Sequence, residues 1–208
     1  MAKNGTSRVR AADARARVAQ ARAEQQARAK RRKLIWNSAI GALVLVLIGG
    51  ITFAVLAGKD AGKIAGVKTF GKLTQNHVET DVVYPQTPPV GGDHNPVFLN
   101  CGIYKDPVKN ENAVHSLEHG AVWITYQPGI GQAQIAALKA AAAGKSYVVL
   151  SPYPTQPAPV TVSAWSTQLT LDSATDPRLA EFIAEYMQGP QTPEPGAPCS
   201  GGTGTPTG

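Results

Sequence analysis

The sequence predicts an α+β fold: a small exported domain of three or four strands and three helices, tethered by one N-terminal transmembrane helix. Three observations carry this reading. Residues 34–57 contain no charged side chain and directly follow a run of basic ones. Between residues 112 and 188, short β-branched and aromatic runs take turns with segments of helical composition. Glycine and proline gather at the joints between those segments, where turns and helix ends need them.

Charge divides the chain unevenly. Residues 1–33 hold eleven Lys and Arg against Asp13 and Glu24, a net +9, while the whole chain is only +6, so the remainder is −3. The basicity belongs to the tail. A basic tail can bind nucleic acid, but here the charge stops at an apolar run of 24 residues, Leu34 to Ala57. At 1.5 Å per residue such a helix crosses a hydrocarbon core about 30 Å thick with some tilt. Trp36 sits where an interfacial aromatic is favoured. Arg31, Arg32 and Lys33 on the leading flank keep that side in the cytosol, so the expected location is the cell membrane, single-pass, with the C-terminal part extracytoplasmic. Cleavage after Ala57 is the alternative, although the run exceeds the 7–15 residue core of a signal peptide.

The expected order is then a basic, helix-favouring cytoplasmic tail (1–33), the transmembrane helix (34–57), a glycine-containing linker (58–81), the α+β domain (82–189) and a Pro/Gly-rich tail (190–208). Inside the domain, Tyr84 to Pro96 carries four prolines and two glycines and reads as loop. Asn112 to His119 reads as a short helix stopped by Gly120. Ala121 to Tyr126 reads as a buried strand closed by Pro128-Gly129. Ile130 to Ala143 is an alanine-rich helix ended by Gly144, and Tyr147 to Leu150 a strand. Val160 to Trp165 alternates and is a strand. Asp176 caps, and Pro177 opens, a last helix over Arg178 to Gln188. Trp123, Tyr126 and Trp165 read as core.

The two cysteines, Cys101 and Cys199, both fall outside the membrane in this arrangement. An oxidising exterior favours a disulfide between them, which pins the tail; the rival is Cys101 as a thiolate ligand. The histidines carry the sharper signal. His115 and His119 are four apart on one helix face, and His94 lies in the loop GGDHNP, from which it can approach. Three imidazoles plus water or a thiolate suit copper or zinc. Asp93, Asn95 and Glu118 are available to fix ring tautomers. Paired histidines on a short helix can equally be hydrogen-bonded structural residues.

His115 to His119 also spells H-x-x-E-H, in which two histidines hold zinc and the glutamate, here Glu118, is a general base. Glu194 lies downstream as a third ligand for that scheme. The pattern is short, and Glu194 sits in a Pro/Gly tail. Blue copper lacks a suitably placed methionine, there is no Cys-x-x-Cys, and no Walker or dinucleotide glycine motif appears.

The stretch from Tyr84 to Gly129 carries Tyr84-Pro85, Pro88-Pro89, Gly91 to Pro96, Asn100-Cys101-Gly102 and Val114 to Gly120. In these elements, with a weaker match over the last helix and Pro193 to Cys199, the chain resembles an actinobacterial membrane-protein family known as domain of unknown function 3105. The resemblance implies a basic cytosolic end, one span and an exported domain; it implies no activity. The expected function is therefore a membrane-tethered extracytoplasmic domain binding copper or zinc through His94, His115 and His119. The alternatives are a non-catalytic scaffold or accessory subunit of a membrane complex, and a metal-assisted hydrolase. Expected partners are the lipid bilayer and other membrane proteins, with no nucleic acid and no identifiable small-molecule substrate.

Overall fold

The computed structural model describes residues 64–207 continuously, together with the helical positions Lys30, Arg31, Trp36, Gly41 and Leu45. The expected cytosolic tail, the membrane span and the start of the linker otherwise lie outside the described residues. The chain divides into two units, Met1–Gly62 and Lys63–Gly208. Among the described residues, no helix is long and apolar enough to cross a membrane.

The second unit is α+β, with three helices and a six-stranded mixed sheet. The strands are β1 (Lys68–Thr69), β2 (Gly102–Ile103), β3 (Val122–Tyr126), β4 (Val148–Pro152), β5 (Val160–Ala164) and β6 (Thr167–Leu171). The helices are α1 (Asn110–Glu118), α2 (Gln132–Ala142) and α3 (Pro177–Tyr186). Strand order is β1-β6-β5-β3-β4-β2. β2, β4 and β3 run parallel, joined through the β3-α2-β4 crossover; β5, β6 and β1 continue antiparallel.

Alternation along the central strands sorts side chains onto two faces. Val122, Ile124 and Tyr126 of β3 and Val148 and Leu150 of β4 meet Leu138 of α2 and Leu179, Phe182 and Ile183 of α3. The opposite face presents Trp123 and Val149, which pack with Ala113, Val114 and Leu117 of α1 and with Leu99, Tyr104 and Trp165. Coverage on both faces explains why β3 is buried at all five positions and reads as a continuous apolar run. Trp123 Nε1 donates to Ser151 Oγ at 2.9 Å, satisfying the one polar group that the ring brings into this layer.

Six strands replace the expected three or four. β1 and β2 have two residues each, too short for any periodicity to register. β6 reads Thr-Gln-Leu-Thr-Leu, whose polar members disguise a buried strand. Gln168 is tolerated there because its Nε2 donates to the Pro88 carbonyl at 2.8 Å and to Ser163 Oγ at 3.0 Å. The helices fall within two residues of their expected ends. Asp176 caps α3, its Oδ1 accepting from Arg178 N at 2.9 Å.

Residues from 64 onward and the C-terminal segment, expected as linker and tail, are hydrogen-bonded within the second unit. Asn76 to Val78 pairs with His94 as a parallel bridge, with Val78 N donating to the His94 carbonyl at 2.7 Å. At the other end Thr203 bridges to Leu99, and Glu194 N donates to the Glu118 carbonyl at 3.1 Å. Cys101 and Cys199 form a disulfide, which excludes the thiolate-ligand alternative for Cys101. A segment poor in apolar residues is held by backbone hydrogen bonds and one covalent link, which hydrophobic patterning does not register.

Candidate metal centre

α1 is buried along almost its whole length, with Glu111 to Glu118 all covered. A nine-residue helix with so many polar side chains is stable there only because the surrounding loops supply partners. Glu111 Oε1 accepts from Val82 N at 3.0 Å, Ser116 Oγ donates to the Leu99 carbonyl at 2.7 Å, and Asn112 Nδ2 donates to Asn95 Oδ1 at 3.2 Å. These bonds lay the 76–99 segment over the helix. Gly120, at φ +92°, ends it, and Ala121 N closes onto the Ser116 carbonyl at 2.9 Å.

The four histidines meet at the covered end of α1. His94, His115 and His119 are 0, 5 and 4% exposed. His115 and His119 share a helix face, with ring centroids 4.5 Å apart. The His94 ring lies 4.8 Å from that of His115. His77, absent from the expected ligand set, lies 4.9 Å from His94 and 4.8 Å from His115. The bridge between the 76–78 and 93–95 backbones delivers it. No local pattern around His77 announces this. The one signal in the sequence is that all four histidines fall between residues 77 and 119.

Each of the three buried rings is oriented the same way. Nδ1 of His94 lies 2.8 Å from the Gly92 carbonyl, that of His115 2.7 Å from the Asn95 carbonyl, and that of His119 2.6 Å from the Pro198 carbonyl. A carbonyl only accepts, so each Nδ1 carries a hydrogen, and in a neutral ring Nε2 is then the atom left to ligate. Backbone carbonyls thus do the orienting expected of Asp93, Asn95 and Glu118 side chains. Asp93 is engaged elsewhere, its Oδ1 accepting from Asn76 Nδ2 at 2.9 Å.

Glu118 stands among the nitrogens. Its Oε2 lies 2.8 Å from His94 Nε2 and 3.8 Å from His77 Nε2. His94 Nε2 is fully buried and makes no well-aligned hydrogen bond among the described residues. A lone pair 2.8 Å from a carboxylate oxygen demands positive charge between them, a proton or a metal ion. Donor atoms of His77, His94, His115 and Glu118 all lie within 4.8 Å of one another, as do those of His115, His119 and Glu194. Glu194, expected in an unpacked tail, has Oε2 3.5 Å from His119 Nε2.

Burial holds the His115 imidazolium well below its ordinary range, to about 4, and the neighbouring His119, His94 and His77 add to the effect against the opposing Asn95 hydrogen bond. Burial lowers His94 too, and burial followed by the nearby Glu194 raises Glu118. His94 and His115 are therefore neutral at pH 7, the form that ligates.

Four chain segments, 76–78, 92–95, α1 and 194–199, thus bring together four imidazoles and two carboxylates as two overlapping donor groups. The family described as protein of unknown function, DUF3105, matches residues 77–201, more than half of the chain. The chain belongs to this family. Its match begins at His77 and takes in the remaining histidines, Glu118, Glu194 and both cysteines, so the whole candidate centre is DUF3105 sequence. Comparison with curated proteins and with solved structures finds no match.

Proposed function

We propose that the DUF3105 domain is a metal-binding module carried outside the cell on a single N-terminal span. The observation that supports it best is the shared orientation of the three buried histidines. Each spends Nδ1 on a backbone carbonyl and leaves Nε2 for an ion. Structural histidines have no reason to leave lone pairs gathered beside a carboxylate. His77, His94, His115 and Glu118 supply three nitrogens and an oxygen, a complete tetrahedral set. Imidazole-rich donors without thiolate suit zinc or copper(II).

Ion binding in this scheme displaces the proton between Glu118 and His94 into solvent. Glu118 is then a ligand, which removes it from the general-base role that H-x-x-E-H suggests. Supporting the location are the charge-free run at 34–57, its basic leading flank and a disulfide that needs an oxidising compartment.

Elemental analysis of the full chain, purified in mild detergent and supplied with zinc or copper(II), tests the reading. One ion per chain is expected, falling below a tenth of that in the double variant His94→Ala, His115→Ala. No retained metal in the wild-type protein would remove the proposal.

A further inference from the structure

The second donor group differs from the first in spacing and exposure. Two donors about 2.1 Å from one tetrahedral ion stand about 3.4 Å apart. His119 Nε2 and Glu194 Oε2, at 3.5 Å, already have that separation. His94 Nε2 and Glu118 Oε2, at 2.8 Å, have to part by about 0.6 Å before an ion enters. The His94–Glu118 pair is buried, at 0 and 3% side-chain exposure, whereas Glu194 is 53% exposed. Solvent therefore reaches the wider pair first.

His115 belongs to both groups. Its Nδ1 is committed to the Asn95 carbonyl, so only Nε2 is free, and one nitrogen lone pair serves one ion. The His94 and His119 ring centroids lie 4.8 and 4.5 Å from that of His115. The two positions thus share a single imidazole and cannot both hold a His115-ligated ion.

We propose that His119, Glu194 and His115 form an outer, solvent-facing position through which a divalent transition-metal ion is loaded into the inner one. This rests on the metal-binding reading above. Transfer is ligand exchange without electron movement. The His115 Nε2 bond to the ion persists; the bonds to Glu194 and His119 break; bonds to His94, His77 and Glu118 form; the proton between Glu118 and His94 leaves to solvent. The tail holds the outer carboxylate in place through the Glu194 N bond to the Glu118 carbonyl and through the disulfide five residues downstream at Cys199.

Stopped-flow uptake of Co²⁺ by the full chain in detergent, read from its ligand-field absorption, tests this. Glu194→Gln and Glu194→Ala are chosen because the side chain is half exposed and its removal leaves the core intact. Both are expected to keep one ion per chain at equilibrium and to slow uptake by about tenfold or more. His94→Gln is expected to keep rapid but weak binding at the outer position. Unchanged uptake in the Glu194 variants overturns the loading role, and so does simultaneous binding of two ions by the wild-type chain. Failure of the wild-type chain to bind any ion is a separate result, which overturns the metal-binding reading itself.

Discussion

Burial and hydrogen bonding pull on each histidine in opposite directions, and at His115 burial wins. Its folded-state value of about 4 lies below the ordinary 6.5. The unfolded chain therefore takes up protons that the folded one refuses, and stability present above pH 6.5 is lost as pH falls toward 4. The shift corresponds to on the order of 3 kcal/mol from this residue. Lowered His94 acts in the same direction; Glu118, raised by burial, acts in the opposite one, favouring the folded state as it protonates. The window is set by His115 and runs from pH 6.5 down toward 4. Thermal unfolding of chelator-treated protein should show the midpoint falling through that window, and a flat profile would contradict the burial argument. Glu118→Gln keeps the volume and hydrogen-bonding capacity but cannot ionise. It is expected to leave the fold intact and to weaken zinc binding by about tenfold or more, measured by chelator competition.

At the scale of elements, the centre depends on loops as much as on α1. Gly91 adopts φ +145°, and a Cβ there would lie 2.7 Å from Leu73 Cδ1 and 3.2 Å from the Trp165 ring. Gly91→Ala should therefore cost about 1–3 kcal/mol in chemical unfolding, and it should weaken metal binding because the same turn sets the Gly92 carbonyl against His94. The disulfide closes a separation of 98 residues, and the double change Cys101→Ser, Cys199→Ser should remove roughly 4–5 kcal/mol in the chain-entropy picture. It should also loosen His119, whose anchor Pro198 adjoins Cys199. Full stability of the double serine variant would count against both statements.

How much of this was legible in the sequence follows from the same physics. α1, α2, α3 and the three central strands declare themselves by apolar period and by caps such as Asp176 and Gly120. His94, His115, His119 and the cysteine pair are identifiable by residue type and spacing. β6 escapes notice because Gln168 and the threonines satisfy their hydrogen bonds inside the fold, and β1 and β2 are too short to show a pattern. His77 and Glu194 reach the centre through backbone bridges between distant segments, which leave no periodic trace in either strand of the pairing.

At the scale of the whole molecule, a ligand that binds only the folded state stabilises it by mass action. Ion at a hundred times its dissociation constant should add about 2.7 kcal/mol and raise the unfolding midpoint by several degrees. The tethered, extracytoplasmic arrangement proposed above predicts that protease added to intact cells removes the C-terminal domain and spares the first thirty residues; the reverse pattern would contradict it. The most direct measurement is X-ray absorption at the metal edge of the full chain loaded with one equivalent of zinc. Three imidazole nitrogens and one carboxylate oxygen at about 2.0–2.1 Å are expected, with imidazole scattering lost in His94→Ala and His115→Ala. A zinc shell of water oxygens, or one indifferent to both substitutions, would contradict the site.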